Sequence, residues 1–324
     1  MENILITGGM GFIGSHLVQR FTREGKYTVY NVDCLTYAAN LDNLTELKDD
    51  RRHVFVRARI DDMESMDKLF EKCKFTYVIN CAAESHVDRS IESSTDFIRT
   101  NVLGTTVLLE CSRKHGVKRF LQVSTDEVYG SLGPEGTFTE ESPFDPRSPY
   151  SASKASADLL VAAFSHTHSM DCVITRCTNN YGTRQHTEKL IPNTVTKAFN
   201  GEKIPVYGKG DNVRDWIHVT DHCEGIFDAL LKGRPGEVYN FSGGNELSNI
   251  DCIMLLLEFV SELSGTAIEK LKDTVCFVQD RKGHDYRYSM DSSKAKRELG
   301  WSPKVRLSDG LRETVGFYFE RMRR

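Results

Sequence analysis

Short runs of β-branched and aliphatic residues alternate with segments of helical periodicity through the first half of the chain. This is the pattern of βαβ units feeding a parallel sheet. The runs predict strands at 4–7, 28–32, 54–56, 77–80, 120–123 and 173–176, with helices near 12–23, 63–73, 95–115 and 149–168. The fold class expected is α/β, a Rossmann-type doubly wound parallel sheet that binds its ligands at the carboxyl ends of the strands. After Asn179 the alternation fades into a strand and helix over 214–230, a strand at 238–241 and helices near 250–263 and 307–322. A sheet domain over 1–178, rejoined by a segment near 214–240, and a smaller mixed α/β lobe over 179–324 are therefore expected.

The 324 residues make about two domains at roughly 150 residues each. Lys and Arg number 42 against 46 Asp and Glu, a net charge of −4, so no global field draws the protein to nucleic acid or an anionic membrane. Any phosphate must be held locally. A hydrophobic fraction of 39% with 27% charged residues excludes a disordered or collagen-like chain. The longest apolar run, 253–260, is interrupted by Glu258 and is too short for a bilayer. The amino terminus reads as a strand and not as a secretion signal, so a cytoplasmic protein is expected. Nine cysteines without a C-x-x-C pair speak against a disulfide framework. The pairs His166/His168 and His218/His222 lack a clustered third ligand, and no metal is expected.

Chemistry enters at the first predicted strand. Gly8, Gly11 and Gly14 are spaced G-x-x-G-x-x-G between a strand and a helix. Gly8 and Gly11 allow a tight turn and close approach to a pyrophosphate, Gly14 allows the helix to pack on the sheet, and the helix N-terminus supplies N–H donors. The alternative is a purely structural glycine turn. Asp33 closes the second strand, where a carboxylate suits ribose hydroxyls and repels a 2′-phosphate, which favours NAD over NADP. An aspartate that merely opens a loop is the plainer reading.

Tyr150 and Lys154 stand at i and i+4 on one helix face. A neighbouring ammonium is expected to lower the phenol's pKa and let Tyr150 move a hydroxyl proton. Alone, such a pair is common on helix surfaces. Thr125-Asp126-Glu127 follows the fifth predicted strand. Adjacent carboxylates there can be tuned apart, one held as an acid and one as a base, with Thr125 on a substrate hydroxyl. An isolated Asp-Glu pair would instead be read as a solvated turn.

These residues, with Ala82-Ala83-Glu84-Ser85-His86-Val87-Asp88-Arg89-Ser90, Asn179-Asn180-Tyr181-Gly182, Glu188-Lys189-Leu190-Ile191-Pro192 and Arg214-Asp215-Trp216, resemble the extended short-chain dehydrogenase/reductase family. Within it they are most similar to the dTDP-glucose 4,6-dehydratases, with Thr125-Asp126-Glu127 as the most specific element. The resemblance implies an NAD-dependent lyase acting on a nucleotide-diphosphate hexose. Tyr150 would take the 4-hydroxyl proton as hydride leaves carbon 4, Glu127 the proton on carbon 5, and Asp126 would protonate the departing 6-hydroxyl. The hydride then returns to carbon 6.

By the same match, Phe12, Ile13, Asp33, Cys34, Leu35, Thr36 and Ile60 would line NAD. So would Cys81, Ala82, Ala83, Ser85, Thr100 and Asn180, beside Tyr150 and Lys154. Ser85, His86, Thr125 and Asn179 would face the sugar and diphosphate. The nucleotide end would meet Lys189, Leu190, Pro205, Val206, Tyr207, Arg214, Asn245, Arg281, His284 and Tyr288. Arg214 and Arg281 also suit a diphosphate clamp on their own chemistry, against the plain reading of surface arginines. The sheet domain becomes the NAD-binding domain, the second lobe the nucleotide-sugar domain, and the helices near 95–115 and 149–168 the expected homodimer bundle.

Three departures from the family pattern touch ligand loops: Arg59-Ile60 where an Asp-Ile pair is usual, the loop Thr183-Arg184-Gln185-His186-Thr187, and Lys282 in place of a proline. A UDP-sugar substrate, a 5,6-dehydratase, 4-epimerase or decarboxylase, and a non-catalytic NAD-binding regulator remain the alternatives.

Overall fold

The computed structural model describes residues 1–281 and 283–323. Lys282, one of the three departures, lies outside the described residues. The strands are β1 Glu2–Thr7, β2 Tyr27–Asp33, β3 His53–Arg57, β4 Tyr77–Asn80, β5 Arg119–Val123, β6 Cys172–Cys177, β7 Asn179–Tyr181, β8 Ile204–Tyr207, β9 Val213–His218, β10 Val238–Phe241, β11 Glu246–Ser248 and β12 Val275–Val278. The principal helices are α1 Phe12–Glu24, α2 Met63–Cys73, α3 Gly104–Lys114, α4 Pro149–His168, α5 Leu190–Asn200, α6 Val219–Lys232, α7 Asn249–Ser264 and α8 Leu307–Arg323.

All six strands expected in the first half form, and a seventh joins them. The sheet order is β10-β6-β5-β4-β1-β2-β3, parallel throughout. β1 shows why such a strand is continuously apolar: Ile4 and Ile6 enter the core beneath α1 and α6, whereas Leu5 points into the opposite core with Met66 of α2 and Leu108 of α3. The chain runs outward through β2 and β3, then restarts at β4 on the other side of β1. The crevice at the carboxyl ends of β1 and β4 is thus the topological switch point. Thr7 and Asn80 are paired across it, and Thr7 Oγ1 donates to Asn80 Oδ1 at 2.7 Å.

The second lobe has its own apolar core, where Val195 of α5, Leu256 of α7 and Val315 of α8 pack together. Its strands form the small sheets β11-β9-β7 and β12-β8. β10 lies in the large sheet beside β6, so chain from beyond 179 does return to the first layer.

The helix expected at 95–115 is broken. A short turn at Thr95–Phe97 passes into a π-helical stretch, Ile98–Leu103, before α3 begins. The reason is Asn101, whose amide donates to Glu84 O at 3.0 Å and to Ser153 Oγ at 2.8 Å while its oxygen accepts from Glu84 N at 2.9 Å. An α-helical register would turn this side chain away from those partners, and π-bulges gather at such places.

Candidate active site

β1 delivers the chain into the glycine turn. Gly8 has φ of 69°, and a Cβ there would sit 2.8 Å from Ala82 Cα. A Cβ on Gly14 would meet Gly8 O at 2.1 Å. Only hydrogen fits at either position, so α1 lies against the turn with its N-terminus open. Gly11 caps α1 without a side-chain hydrogen bond, leaving the first N–H groups of the helix free to face an anion.

Asp33 ends β2 at the rim of this cradle. Its carboxylate accepts from Met10 N at 3.0 Å and Leu35 N at 2.8 Å, which ties the glycine turn to the second strand. Burial pushes its pKa up, against those two hydrogen bonds. Across the crevice Thr7 Oγ1 accepts from Cys81 N and Ala82 N, each at 3.1 Å, which fixes the start of the 81–85 loop. The bare glycine backbone, uncapped helix N-terminus and rim carboxylate fit an NAD diphosphate and ribose, and a 2′-phosphate would meet Asp33.

One cavity joins this cradle to the expected catalytic residues. Its wall includes Gly8, Gly11, Phe12, Ile13, Gly14, Asp33, Cys34, Thr36, Ile60, Cys81, Ala82, Ala83, Ser85 and Thr100. It continues past Thr125, Asp126, Glu127, Tyr150 and Lys154 to Asn179, Asn180 and Lys189. Leu35 is the exception among the expected cofactor residues. It has a left-handed φ of 60° and packs its side chain on the sheet core instead of entering the cavity.

Thr125, Asp126 and Glu127 occupy a 3₁₀ turn that starts where β5 ends. Thr125 Oγ1 accepts from Glu127 N at 3.3 Å and donates to Asp126 Oδ1 at 3.1 Å. Asp126 is 3% exposed, and its second oxygen is buried without a protein partner. Burial, then repulsion from Glu127, raises Asp126 well above the carboxylate range. Glu127 is raised too, chiefly by burial, but Lys189 and Arg214 oppose the shift. The pair is tuned apart by unequal compensation, with Asp126 the better proton holder.

α4 starts beside this turn. Pro149 occupies its first turn, and Ser148 and Ser151 form a reciprocal capping box. The cap fixes Tyr150 and Lys154 one helical turn apart, both buried. Lys154 Nζ donates to Val123 O at 2.7 Å, pinning α4 against the end of β5. The lowering of Tyr150 expected from Lys154 is not found. Burial and the negative charge of Glu127 hold the phenol well above its ordinary pKa, with Thr125 opposing through a hydrogen bond. The reason is burial: at 8% exposure, Tyr150 is too far from water to carry a bare phenolate cheaply. Burial also lowers the pKa of Lys154, although Asp158 one turn on opposes it.

The expected nucleotide end is assembled differently from the cofactor end. Arg214 spends Nη1 on Val213 O at 2.8 Å and Nη2 on Asp285 O at 2.9 Å, with its guanidinium 4.4 Å from the centre of the Tyr288 ring. Arg281 Nη2 is held by Asp88 at 2.9 Å, and its guanidinium stands 5.3 Å from the Tyr207 ring centre. His284 faces Asp280 at 2.7 Å and Tyr207 edge-on. These groups gather outside the cavity wall described above, with both arginines already engaged by protein oxygens.

Other expected contacts fall away from the cavity. Val206 is buried in the second core, and Leu190 packs against it. Pro205 is exposed on β8, and Asn245 donates to Gly243 O at 2.7 Å. His86 caps the helix Val87–Glu92 and faces Glu188 at 3.4 Å. Lys189 does reach the sheet domain, donating to Ser85 O at 3.0 Å. Arg59 lines the cavity with its charge met by Asp61 at 2.9 Å, so the first departure preserves local neutrality.

Some residues of the site escaped the motif reading, whereas Glu84 lay within it. Asn101, Thr178 and Gln185 all line the cavity or hold its walls, as does Glu84. Asn101 carried a usable signal, a polar residue on the buried face of an amphipathic segment. Gln185 carried none, because its partner, the main-chain oxygen of Asn180 at 2.9 Å, is set by a loop.

The GDP-mannose 4,6 dehydratase family model matches residues 5–314. A dTDP-glucose 4,6-dehydratase of Neisseria meningitidis serogroup B is 44% identical, covering 99% of this chain and 94% of its own. DesIV, the dTDP-glucose 4,6-dehydratase of Streptomyces venezuelae solved with NAD bound, is 45% identical with a TM-score of 0.92, covering 98% of this chain and 97% of its own. A UDP-glucuronic acid 4-epimerase of Bacillus cereus shares the fold more distantly, at 27% identity and a TM-score of 0.89 over 98% of this chain and 99% of its own. With dehydratases standing nearer than epimerases along the full chain, this protein belongs to the extended short-chain dehydrogenase/reductase family, in its nucleotide-sugar 4,6-dehydratase branch.

Proposed function

We propose that this protein is an NAD-dependent 4,6-dehydratase that converts dTDP-glucose to the 4-keto-6-deoxy sugar nucleotide and water. The observation that carries the reading is the buried Asp126–Glu127 pair beside Tyr150 and Thr125 in one cavity. Gly8, Gly11, Gly14 and Asp33 would hold NAD, which when bound accepts a hydride from carbon 4 and gives it back at carbon 6.

Tyr150 takes the 4-hydroxyl proton, with Thr125 orienting that hydroxyl. Burial and Glu127 favour the protonated phenol, so Tyr150 accepts the 4-hydroxyl proton only in the fraction of the protein whose phenol has already given up its own. The resulting 4-ketone acidifies the hydrogen on carbon 5, and Glu127, the less strongly raised carboxylate, removes it. Asp126, whose burial favours the protonated form, delivers that proton to the departing 6-hydroxyl.

The test is mass spectrometry of a panel of dTDP-, UDP- and GDP-hexoses incubated with the protein. The expected product is lighter than dTDP-glucose by one water, with no net NADH formed. Unchanged mass with inverted stereochemistry would replace this reading by an epimerase.

A homodimer and a cytoplasmic location belong to the same proposal. Ile98 and Leu103, at 50% and 49% exposure, and Leu159 of α4, at 58%, place apolar side chains on the two helical segments expected to pair. The nine cysteines are all free thiols, as suits a reducing compartment. Among the described residues no helix is long and apolar enough to cross a membrane. Light scattering should give twice the chain mass for the wild type, and Leu159→Glu should halve it. An unchanged mass in that variant would place the interface elsewhere.

A further inference from the structure

His218 and His222, paired in sequence with no third metal ligand, flank the first turn of α6. No group of three His, Cys, Asp or Glu side chains suited to a metal gathers among the described residues. His222 is fully buried, and its Nδ1 lies 2.9 Å from Asn180 Oδ1. It does not line the cavity itself. Asn180 Nδ2 donates to Thr178 O at 3.0 Å, so the amide presents its oxygen to the ring. Nδ1 must therefore carry the imidazole proton and donate it, which fixes the tautomer.

Two further features show that the ring is kept for this one bond. Nε2 is left as a buried acceptor without a protein partner, a standing cost that an apolar side chain would avoid. Burial also holds the His222 pKa down at about 3, so the ring stays neutral and the geometry does not change across the working pH range. On the other side, Gln185 Nε2 donates to the main-chain oxygen of Asn180 at 2.9 Å. Oδ1 on His222 and Nδ2 on Thr178 O hold the Asn180 side chain at both ends, and its second Nδ2–H, beside the Cys177 thiol, is the remaining donor of a residue that lines the cavity.

We infer that His222 is a positioning residue: its Nδ1–H orients the Asn180 amide so that one N–H of that amide faces the bound cofactor. This inference rests on the NAD reading above. It assigns His222 a role outside the cavity, acting through Asn180 alone.

Three variants separate orientation from packing. In Asn the amide nitrogen stands two bonds from Cβ, as Nδ1 does in His. In Gln it stands three bonds away, as Nε2 does, and Leu fills a similar volume without a donor. NADH binding is followed by fluorescence titration, beside the thermal midpoint of the unliganded protein and the steady-state constants for sugar turnover. His222→Leu and His222→Gln should bind NADH about tenfold more weakly, as for loss of one ligand hydrogen bond, whereas His222→Asn should stay within about twofold of wild type.

A role in packing alone predicts the reverse order, with the smaller Asn the worst of the three. Equal NADH affinity in Leu, Gln and wild type, or an Asn variant as weak as Leu, overturns the inference. If one variant fails to fold, the other two measured against the wild type still decide between the two roles. Failure of the wild type to bind NADH overturns the proposed function, and this inference with it.

Discussion

Glu127→Gln should stop water loss while leaving the first oxidation intact. On mixing with dTDP-glucose, the variant should develop and hold the absorbance of NADH, because the sugar is oxidised at carbon 4 but the hydrogen on carbon 5 stays in place. Turnover to the lighter product should fall about 10²- to 10⁴-fold, the range for loss of a positioned general base. The side-chain volume is nearly unchanged, and burial already disfavours the charged form of the carboxyl it replaces. Folding should therefore be little affected. Stopped-flow absorbance together with product mass checks both halves. Wild-type product formation would remove Glu127 from its role, whereas loss of the NADH signal would place it in the first step.

Asp126→Asn should separate activity from stability. An amide can occupy the site but has no proton to give the departing hydroxyl, so turnover should again fall about 10²- to 10⁴-fold. Stability should move the other way at high pH. Asp126 is raised well above the usual carboxylate range, mainly by burial. Its native form therefore holds a proton that the unfolded chain releases. The stability this proton confers is complete below the ordinary carboxylate range and is lost as the pH rises from there through the raised native value. The asparagine variant lacks that titration, and its thermal midpoint should exceed that of the wild type by a margin that grows as the pH rises from the ordinary carboxylate range toward the raised native value. A constant difference across that range would show that Asp126 does not titrate with folding. The same proton sets the alkaline limb of wild-type activity, which should decline as Asp126 ionises, while protonation of Glu127 sets the acid limb.

Both predictions concern residues that local sequence made visible, and the reason is physical. Strand and helix periodicity depends on neighbours a few positions apart. The parallel sheet, the glycine turn of 8–14 and the Tyr150/Lys154 pair each lie within one element or one connection. Asp126 and Glu127 stood out because they follow a strand, and carboxyl ends of strands in such sheets face the crevice. The homologous motifs carried the reaction class on the same local grounds.

What the tertiary structure alone decided involves groups brought together over long distances in the chain. The sequence offered Arg214 and Arg281 as phosphate clamps on charge. The fold engages them with Asp285 O and with Asp88, so phosphate must compete with existing partners. It offered Tyr150 a lowered pKa from Lys154, and burial reversed the direction. Asn101, 17 positions from Glu84 and 52 from Ser153, bends a helix into a π turn to satisfy both. His222, 42 positions from Asn180, was legible only as half of an incomplete metal pair. Periodicity records which face of an element is buried, but the partner met on that face depends on how distant segments cross. Hydrogen bonding and desolvation at those crossings set the site's electrostatics.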